Sequence, residues 1–317
     1  MKAVIFNQYG SANVLEYREI DTPKIKPDEL LVKISATSIN PVDWKIRQGS
    51  VQLISGYNFP KKIGADLSGV VVEVGEGVTR FQPGDEVYTF LNPVSGGACA
   101  QYAAVPASSA ALKPSTMTHE EAAAVPIAGL TALQSLFDLG QIRPGQKVLI
   151  NGASGGVGTY AVQIAKAMET EVTGVCSAAN LERVKELGAD IVIDYTQVDF
   201  TQQSTKYDII LDAVGKQIFS NCENVLQPDG IYISTLPTPE NILASVQTWL
   251  FSGKKSAKLV LAQPSRRDLD ALRDWIEAGK IRSVIDRVYA LSDIIEAHNY
   301  SETGRAVGKI VCVVESD

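Results

Sequence analysis

Asn151-Gly152-Ala153-Ser154-Gly155-Gly156-Val157-Gly158 is the run of this 317-residue chain whose residue types and spacing most directly imply chemistry. It follows a short apolar stretch, Val148-Leu149-Ile150. It opens a second stretch, 157–168, in which Val157, Ala161, Ile164, Ala165 and Met168 fall on one helical stripe. Glycines between a strand and a helix let the chain turn tightly and bring backbone N–H groups against a pyrophosphate. The helix N-terminus adds unsatisfied donors and a partial positive charge. The spacing therefore predicts a dinucleotide site, with Ser154, Gly155, Gly156 and Val157 at the phosphates.

A site for NAD places an Asp or Glu about twenty residues on, at the end of the second strand, against the ribose 2′-hydroxyl. Here that strand ends Gly174-Val175-Cys176-Ser177-Ala178-Ala179-Asn180, and no carboxylate comes before Glu182. A carboxylate would repel a 2′-phosphate, so its absence predicts NADPH. Ser177 and Asn180 would donate hydrogen bonds and Arg183 would supply positive charge. Arg183 reads equally well as a solvated helix residue, and Glu182 beside it counts against its role.

The elements that must position this run alternate. Strands are expected at 172–175, 191–194, 209–211 and 231–234, with helices at 181–187 and near 219–226, the pattern of a parallel doubly wound sheet. Earlier, short apolar runs at 3–6, 30–34, 69–74 and 86–90 are punctuated by Pro23, Pro27, Pro60, Pro83-Gly84 and Gly96-Gly97. Short strands at that spacing predict a small, partly open β-barrel. The texture changes near Thr118, which with Glu121 has the pattern of a capping box opening a helix over 119–125, and the helical texture continues over 129–139. Beyond Pro264 come a helix at 268–278, an extended piece at 287–289, a helix at 294–300 and a closing strand at 309–314, expected to rejoin the first lobe. The loops 48–59 and 239–255 carry no readable conformation.

A net charge of -7, with 45% apolar and 21% charged residues, fits a soluble globular enzyme and argues against a nucleic-acid or anionic-membrane surface. Lys254, Lys255 and Lys258 read as a solvated face. No run of about 18 apolar residues would span a membrane. Met1–Phe6 turns polar at Asn7 and Gln8 and reads as a first strand rather than a signal peptide, so the cytosol is the expected compartment. Cys99, Cys176, Cys222 and Cys312 form no Cys-x-x-Cys pair and read as small buried hydrophobes. His119 and His298 have no second ligand at metal spacing.

Gly152–Gly158 resembles the Ala-x-x-Gly-Gly-Val-Gly signature of quinone oxidoreductases, the zinc-free branch of the medium-chain dehydrogenase/reductase superfamily that includes zeta-crystallin and plant alkenal or enone reductases. Ser38-Ile39-Asn40-Pro41-Val42-Asp43, Gly64-Ala65-Asp66-Leu67-Ser68-Gly69, Pro83-Gly84-Asp85-Glu86-Val87, Leu187-Gly188-Ala189-Asp190 and Gly304-Arg305-Ala306-Val307-Gly308-Lys309-Ile310-Val311 resemble that family's corresponding stretches, in the same order. The resemblance implies an α/β fold: a GroES-like barrel formed by 1–122 and 264–317, a Rossmann lobe formed by 123–263, and NADPH in the cleft between them. It implies that Thr131 is a nicotinamide-side contact and that Tyr195 touches the adenosine portion or the phosphates. Val214-Gly215 and Leu236-Pro237 resemble the loops that edge the ring, and Asn40 and Arg305 resemble barrel-side contacts near it. Tyr195 also reads as an ordinary strand-end aromatic, and Arg305 as a surface charge. Zinc alcohol dehydrogenases carry Cys at the position of Asn40, His at that of Ala65, and a four-cysteine lobe where this chain has Cys99 alone. Zinc needs three or four N, S or O ligands, which Asn40, Ala65 and Asp66 do not supply, so neither zinc site is expected.

Without a strong Lewis acid, alcohol dehydrogenation is disfavoured. Hydride added to an enone or a quinone leaves a delocalised oxyanion that modest donors stabilise. The expected function is therefore NADPH-dependent reduction of quinones or α,β-unsaturated carbonyls. Asn40 and Tyr57 are candidates for positioning the substrate, beside Lys45 in the same region; Tyr57 reads equally as a packing residue. The alternatives are an NADPH-binding structural or regulatory protein with little turnover, and a trans-acting enoyl reductase. A homodimer is expected through the apolar run 258–262, preceded by Trp249, Leu250 and Phe251, because an exposed strand of that character needs cover. A helix folded back over its own edge is the other way to cover it.

Overall fold

Along residues 29–36 the buried side chains fall at every second position, Leu30, Val32, Ile34 and Ala36, and the chain there takes the extended form that this period favours. The computed structural model describes residues 1–250 and 254–315. In chain order the first elements are β1 (Lys2–Phe6), β2 (Leu15–Glu19), β3 (Glu29–Ile39), α1 (Pro41–Arg47), α2 (Gln52–Ser55), β4 (Lys61–Lys62), β5 (Asp66–Val74), β6 (Glu86–Phe90), β7 (Tyr102–Pro106) and β8 (Ala111–Leu112). Then come α3 (His119–Ala123), α4 (Pro126–Gln134), β9 (Lys147–Asn151), α5 (Gly156–Ala167), β10 (Glu171–Cys176), α6 (Leu181–Glu186), β11 (Ile191–Asp194), β12 (Tyr207–Asp212), α7 (Phe219–Cys222), β13 (Leu226–Ser234), α8 (Pro239–Leu250) and β14 (Ser256–Leu259). The chain closes with α9 (Arg266–Glu277), β15 (Ile285–Ala290), α10 (Ile294–Glu302) and β16 (Lys309–Val313). Contacts divide it into two units: Met1–Ile127 with Pro264–Asp317, and Ala128–Gln263.

In the first unit, strands are ordered β15-β16-β3-β5-β6-β8, with β7 also on β3, beside a smaller sheet β2-β1-β4. β16 pairs antiparallel with β3, Ile310 opposite Ile39 and Cys312 opposite Thr37, so the closing strand does rejoin this unit. Its core gathers Phe6, Leu30, Val32, Leu67, Val87, Ile310 and Cys312. Thr118 and Glu121 make both bonds of the capping box at the start of α3, at 3.3 and 2.9 Å. The boundary between the units falls a few residues later than the expected 122/123. Ala123 and Ala124 pack on Ala36 and Val311, which ties α3 to the first unit.

In the second unit the strands run β11-β10-β9-β12-β13-β14, with parallel pairing throughout. The inner strands are continuous apolar runs, as expected where helices cover both faces. The helical texture read over 129–139 holds: α4 is followed directly by a π-helical turn, Ser135–Leu139. Two features differ from the sequence reading. Lys258 is not on a solvated face: it is half-buried and donates from Nζ to the Leu139 carbonyl at 2.7 Å, capping that turn. The stretch read as a loop from 239 contains α8, whose Ile242, Leu243, Val246, Trp249 and Leu250 form an exposed apolar stripe, Trp249 being 79% exposed. The edge strand β14 starts at Ser256 and ends at Leu259; beyond it Val260 is buried and Leu261 is exposed. Phe251 lies outside the described residues. All four cysteines are buried and free, as read.

Candidate functional site

In the second unit, loops leave the C-terminal ends of β9, β12 and β13 and pack on one another through glycines. Gly152 has φ +83°, and a methyl there would sit 2.3 Å from Val214 Cγ2. On Gly158 it would sit 2.1 Å from the Gly152 carbonyl oxygen, and on Gly215 2.3 Å from Leu236 Cδ1. These glycines are fixed by neighbouring protein atoms. Gly155 is different: a methyl there would meet only the Gly152 oxygen, at 3.4 Å, and nothing on its outer side. Gly155 caps α5, a 12-residue helix, and Ser154, Gly155, Gly156 and Val157 stay half-exposed. An accessible helix N-terminus lined by small residues fits the pyrophosphate of a dinucleotide.

Beside this loop, Asn180 Nδ2 lies 3.3 Å from Ser154 Oγ and 3.2 Å from Ser177 Oγ. The three polar side chains thus group at the end of β10, where a NAD site would carry its carboxylate. Arg183 is exposed on α6, and Tyr195 is exposed just past β11, its N–H donating to the Cys176 carbonyl at 3.1 Å. Thr131 is buried in α4.

The sequence reading missed Asp212. This buried carboxylate ends β12 and ties the next loop together. Oδ1 accepts from Asn151 Nδ2 at 2.9 Å, Val214 N at 3.2 Å and Gly215 N at 3.0 Å; Oδ2 accepts from Gln217 N at 2.9 Å and Tyr232 OH at 3.2 Å. Asn241 does similar work on the following loop, donating to Ser234 Oγ at 3.1 Å and to the Leu236 carbonyl at 3.4 Å. The signal for Asp212 was a carboxylate at the end of an apolar strand, directly before a loop containing glycine.

In the first unit, Asn40 caps α1 and is buried among charged groups. Its Oδ1 accepts from Lys309 Nζ at 2.5 Å, and its Nδ2 donates to Asp66 Oδ2 at 2.9 Å and weakly to the Ser38 carbonyl at 3.4 Å. Asp66 Oδ2 also accepts from Ser38 Oγ at 2.6 Å and pairs with Lys309 Nζ at 3.3 Å. Asp66 Oδ1 accepts from Ile127 N at 2.9 Å, at the start of α4. Asp43 accepts from Asn40 N at 2.8 Å. Burial pushes the Asp43 carboxyl up to about 7, against the lowering effect of that backbone bond. The other two barrel-side residues stand outside this network. Tyr57 is 65% exposed, its ring edge-on to Tyr9 with centroids 6.0 Å apart. Arg305 is exposed, with its backbone N–H on Thr303 Oγ1 at 3.3 Å.

No group of three or more His, Cys, Asp or Glu side chains converges among the described residues. At Asn40 and Asp66 a dication would also face the buried Lys309 ammonium. The histidines serve elsewhere: His119 Nδ1 meets Ser68 Oγ at 2.8 Å and Nε2 meets Glu86 Oε1 at 3.2 Å. Burial, with the Arg47 charge, pushes His298 down to about 3.

A family model described as an alcohol dehydrogenase GroES-like domain matches residues 26–116, and one described as a zinc-binding dehydrogenase matches residues 187–312. The chain is 36% identical to a chloroplast envelope quinone oxidoreductase homolog from Arabidopsis thaliana, over 98% of each chain. It is 34% identical to a 2-methylene-furan-3-one reductase from Solanum lycopersicum, over 98% of this chain and 78% of that one. The chain belongs to the quinone-oxidoreductase branch of the medium-chain dehydrogenase/reductase superfamily. A quinone oxidoreductase from Coxiella burnetii has the same fold, with a TM-score of 0.92 at 33% identity over 99% of both chains. The Escherichia coli quinone oxidoreductase complexed with NADPH gives 0.84 at 25% identity, over 99% of this chain and 100% of that one. Within the stretch that carries the family resemblance at 304–311, Lys309 is the residue whose bonds to Asn40 and Asp66 went unread. Its signal was a lysine opening an apolar strand at a position the sheet turns inward.

Proposed function

We propose that this quinone-oxidoreductase relative is an NADPH-dependent reductase of quinones and α,β-unsaturated carbonyls that works without zinc. The observation that carries the reading is the glycine-made cradle at 152–158 with Ser154, Ser177 and Asn180 grouped where a carboxylate would otherwise stand. Relatives named for quinone and furanone reduction, and an NADPH-bound structural neighbour, support it. The Rossmann loops bind the pyrophosphate, while Ser177, Asn180 and Arg183 meet the 2′-phosphate and Tyr195 flanks the adenosine. Thr131, Val214-Gly215 and Leu236-Pro237 edge the ring. Asn40 and Arg305 stand on the acceptor side, with Tyr57 at the rim. When bound, the reduced nicotinamide supplies the hydride; the chain's own contribution is position and exclusion of water. A reducing compartment, which we take to be the cytosol, suits four buried free cysteines.

NADPH oxidation measured against alkyl vinyl ketones, long enones and 1,4-benzoquinone tests the reading. Turnover with at least one acceptor class supports it; NADPH binding without turnover would leave only a binding role. We further propose a homodimer through β14, Leu261 and the apolar stripe of α8. Light scattering should give twice the single-chain 34.1 kDa. Leu261→Lys should shift it to the single-chain mass and leave turnover intact. Val260 is a poorer probe because it is buried within its own chain.

A further inference from the structure

We infer that Lys309 is a positioning residue for reduction of the acceptor, acting through Asn40 and supplying a fixed internal positive charge at the acceptor side. The inference rests on the proposed function, which puts Asn40 beside the acceptor. Lys309 and Asp66 are both buried, a combination that a merely structural pair does not need: two buried charges seldom stabilise a fold more than apolar residues of the same volume. The geometry gives the pair a direction. Lys309 Nζ is closer to Asn40 Oδ1, at 2.5 Å, than to Asp66 Oδ2, at 3.3 Å. The ammonium therefore acts chiefly on the amide carbonyl.

Drawing electrons toward Oδ1 makes the Nδ2 protons more acidic, and linked hydrogen bonds strengthen one another in a low-dielectric interior. One Nδ2 proton is held by Asp66 at 2.9 Å, which fixes the rotamer. The other makes only a 3.4 Å contact with the Ser38 carbonyl and is available to a better acceptor. Adding hydride to the β-carbon of an enone moves the C=C electron pair onto the carbonyl oxygen, forming an enolate. A proton from solvent at the α-carbon then completes the saturated ketone. The available Nδ2 proton meets the oxyanion as that charge develops, so the amide is a donor sharpened by a charge behind it.

The experiment compares kcat for an alkyl vinyl ketone and for 1,4-benzoquinone in the NADPH-loaded protein. Removing a donor to an oxyanion costs about 10²–10³ in kcat. Removing the charge behind the donor should cost less, about thirtyfold for the ketone. Benzoquinone, a stronger hydride acceptor, reaches its transition state earlier with less charge on oxygen and should lose no more than about threefold. KM for either acceptor should stay within about twofold, because the charge matters only as the oxyanion forms. Lys309→Met leaves Asp66 buried without its cation, so Lys309→Met/Asp66→Asn, which removes both charges, is measured beside it with thermal melting of each.

In the Asn40→Ala background the Lys309 substitution should add less than about threefold to the ketone defect, because its route is gone. Equal losses for both acceptors, or a multiplicative effect with Asn40→Ala, would overturn the inference while leaving the proposed function standing. An unmutated protein that oxidises NADPH with neither acceptor would overturn both.

Discussion

Around the dinucleotide loop of the second unit, the shape is made by backbone and by missing side chains. Gly152 and Gly215 sit where a methyl would strike a neighbouring loop, and Gly158 where it would strike the backbone of its own loop. The buried network of the first unit is made instead by side chains, with Ser38, Asn40, Asp66 and Lys309 reaching into it from three strands and a cap. A phosphate-binding loop can be built from what the backbone always offers, namely N–H groups and a helix end. Placing a charge beside a reacting carbon needs side chains brought together by the whole sheet. The first arrangement should fail by steric contact and the second by lost charge balance.

The largest effect should come from the charge side. Asp66→Ala strands the buried Lys309 ammonium and removes the carboxylate that accepts from Ile127 N, and should destabilise the protein by about 3–5 kcal/mol, read as a lowered thermal midpoint. An unchanged midpoint would mean that the network is not balanced by charge.

On the backbone side, Gly158→Ala should lose about 3 kcal/mol between stability and cofactor affinity, since its methyl meets backbone that cannot move aside. Gly155→Ala is the sharper partner experiment. Its methyl finds no protein atom on the outer side, so the melting temperature should hold while fluorescence titration shows NADPH affinity falling at least about tenfold. If stability falls and affinity holds, the cradle is not where the pyrophosphate lies.

Two buried groups of the first unit should answer to acid in opposite directions. His298 is held at about 3, below its ordinary 6.5, so its contribution to stability is complete above 6.5 and is lost as pH falls toward 3. Asp43 is held at about 7, above its ordinary 3.8, so its contribution is complete below 3.8 and is lost as pH rises through 7. Between about 4 and 6.5 the two oppose one another, so the unmutated protein should change less with pH than either group alone would make it, with His119, also held below its ordinary value by burial, adding to the His298 side. His298→Leu should tip the balance toward Asp43. Urea denaturation would then show stability rising as pH drops from 7 to 4, by at most about 1.4 kcal/mol per unit. A profile that still falls toward acid would mean the two groups do not oppose one another in the folded state.

The smallest effect is one of preference. Ser177→Asp places a carboxylate beside Asn180 and Ser154, and should weaken NADPH at least about tenfold, or about 1.4 kcal/mol, while sparing or improving NADH. Unchanged preference would move the 2′-phosphate away from this cluster.

The contrast also explains what could be read in advance. Gly152–Gly158 is contiguous and flanked by its strand and helix, so one window of sequence contains both the motif and its confirming context. The capping box of Thr118 and Glu121 is local in the same way. The exposed stripe of α8 was also written at helical spacing, behind a proline of the kind that starts helices, and the loop reading of 239–255 missed it. Lys309, Asn40 and Asp66 could not be joined by spacing, because their contact depends on β16 pairing with β3 and β3 with β5. Asp212 was hidden by a different cause: its partners are backbone N–H groups, which no residue type announces.

The pairing of β16 with β3 also fixes an order of events during synthesis. Lys309 is joined to the chain 243 residues after Asp66, with all of 128–263 made in between. At about 5–20 residues per second, that leaves Asp66 without its cation, and β3 without one neighbour, for about 12–50 s on the ribosome. The inserted Rossmann unit has its whole sheet within that interval and completes its core first. The unit that begins the chain is therefore the second to finish, and truncation before β16 should release a protein with a folded cofactor lobe and an open barrel.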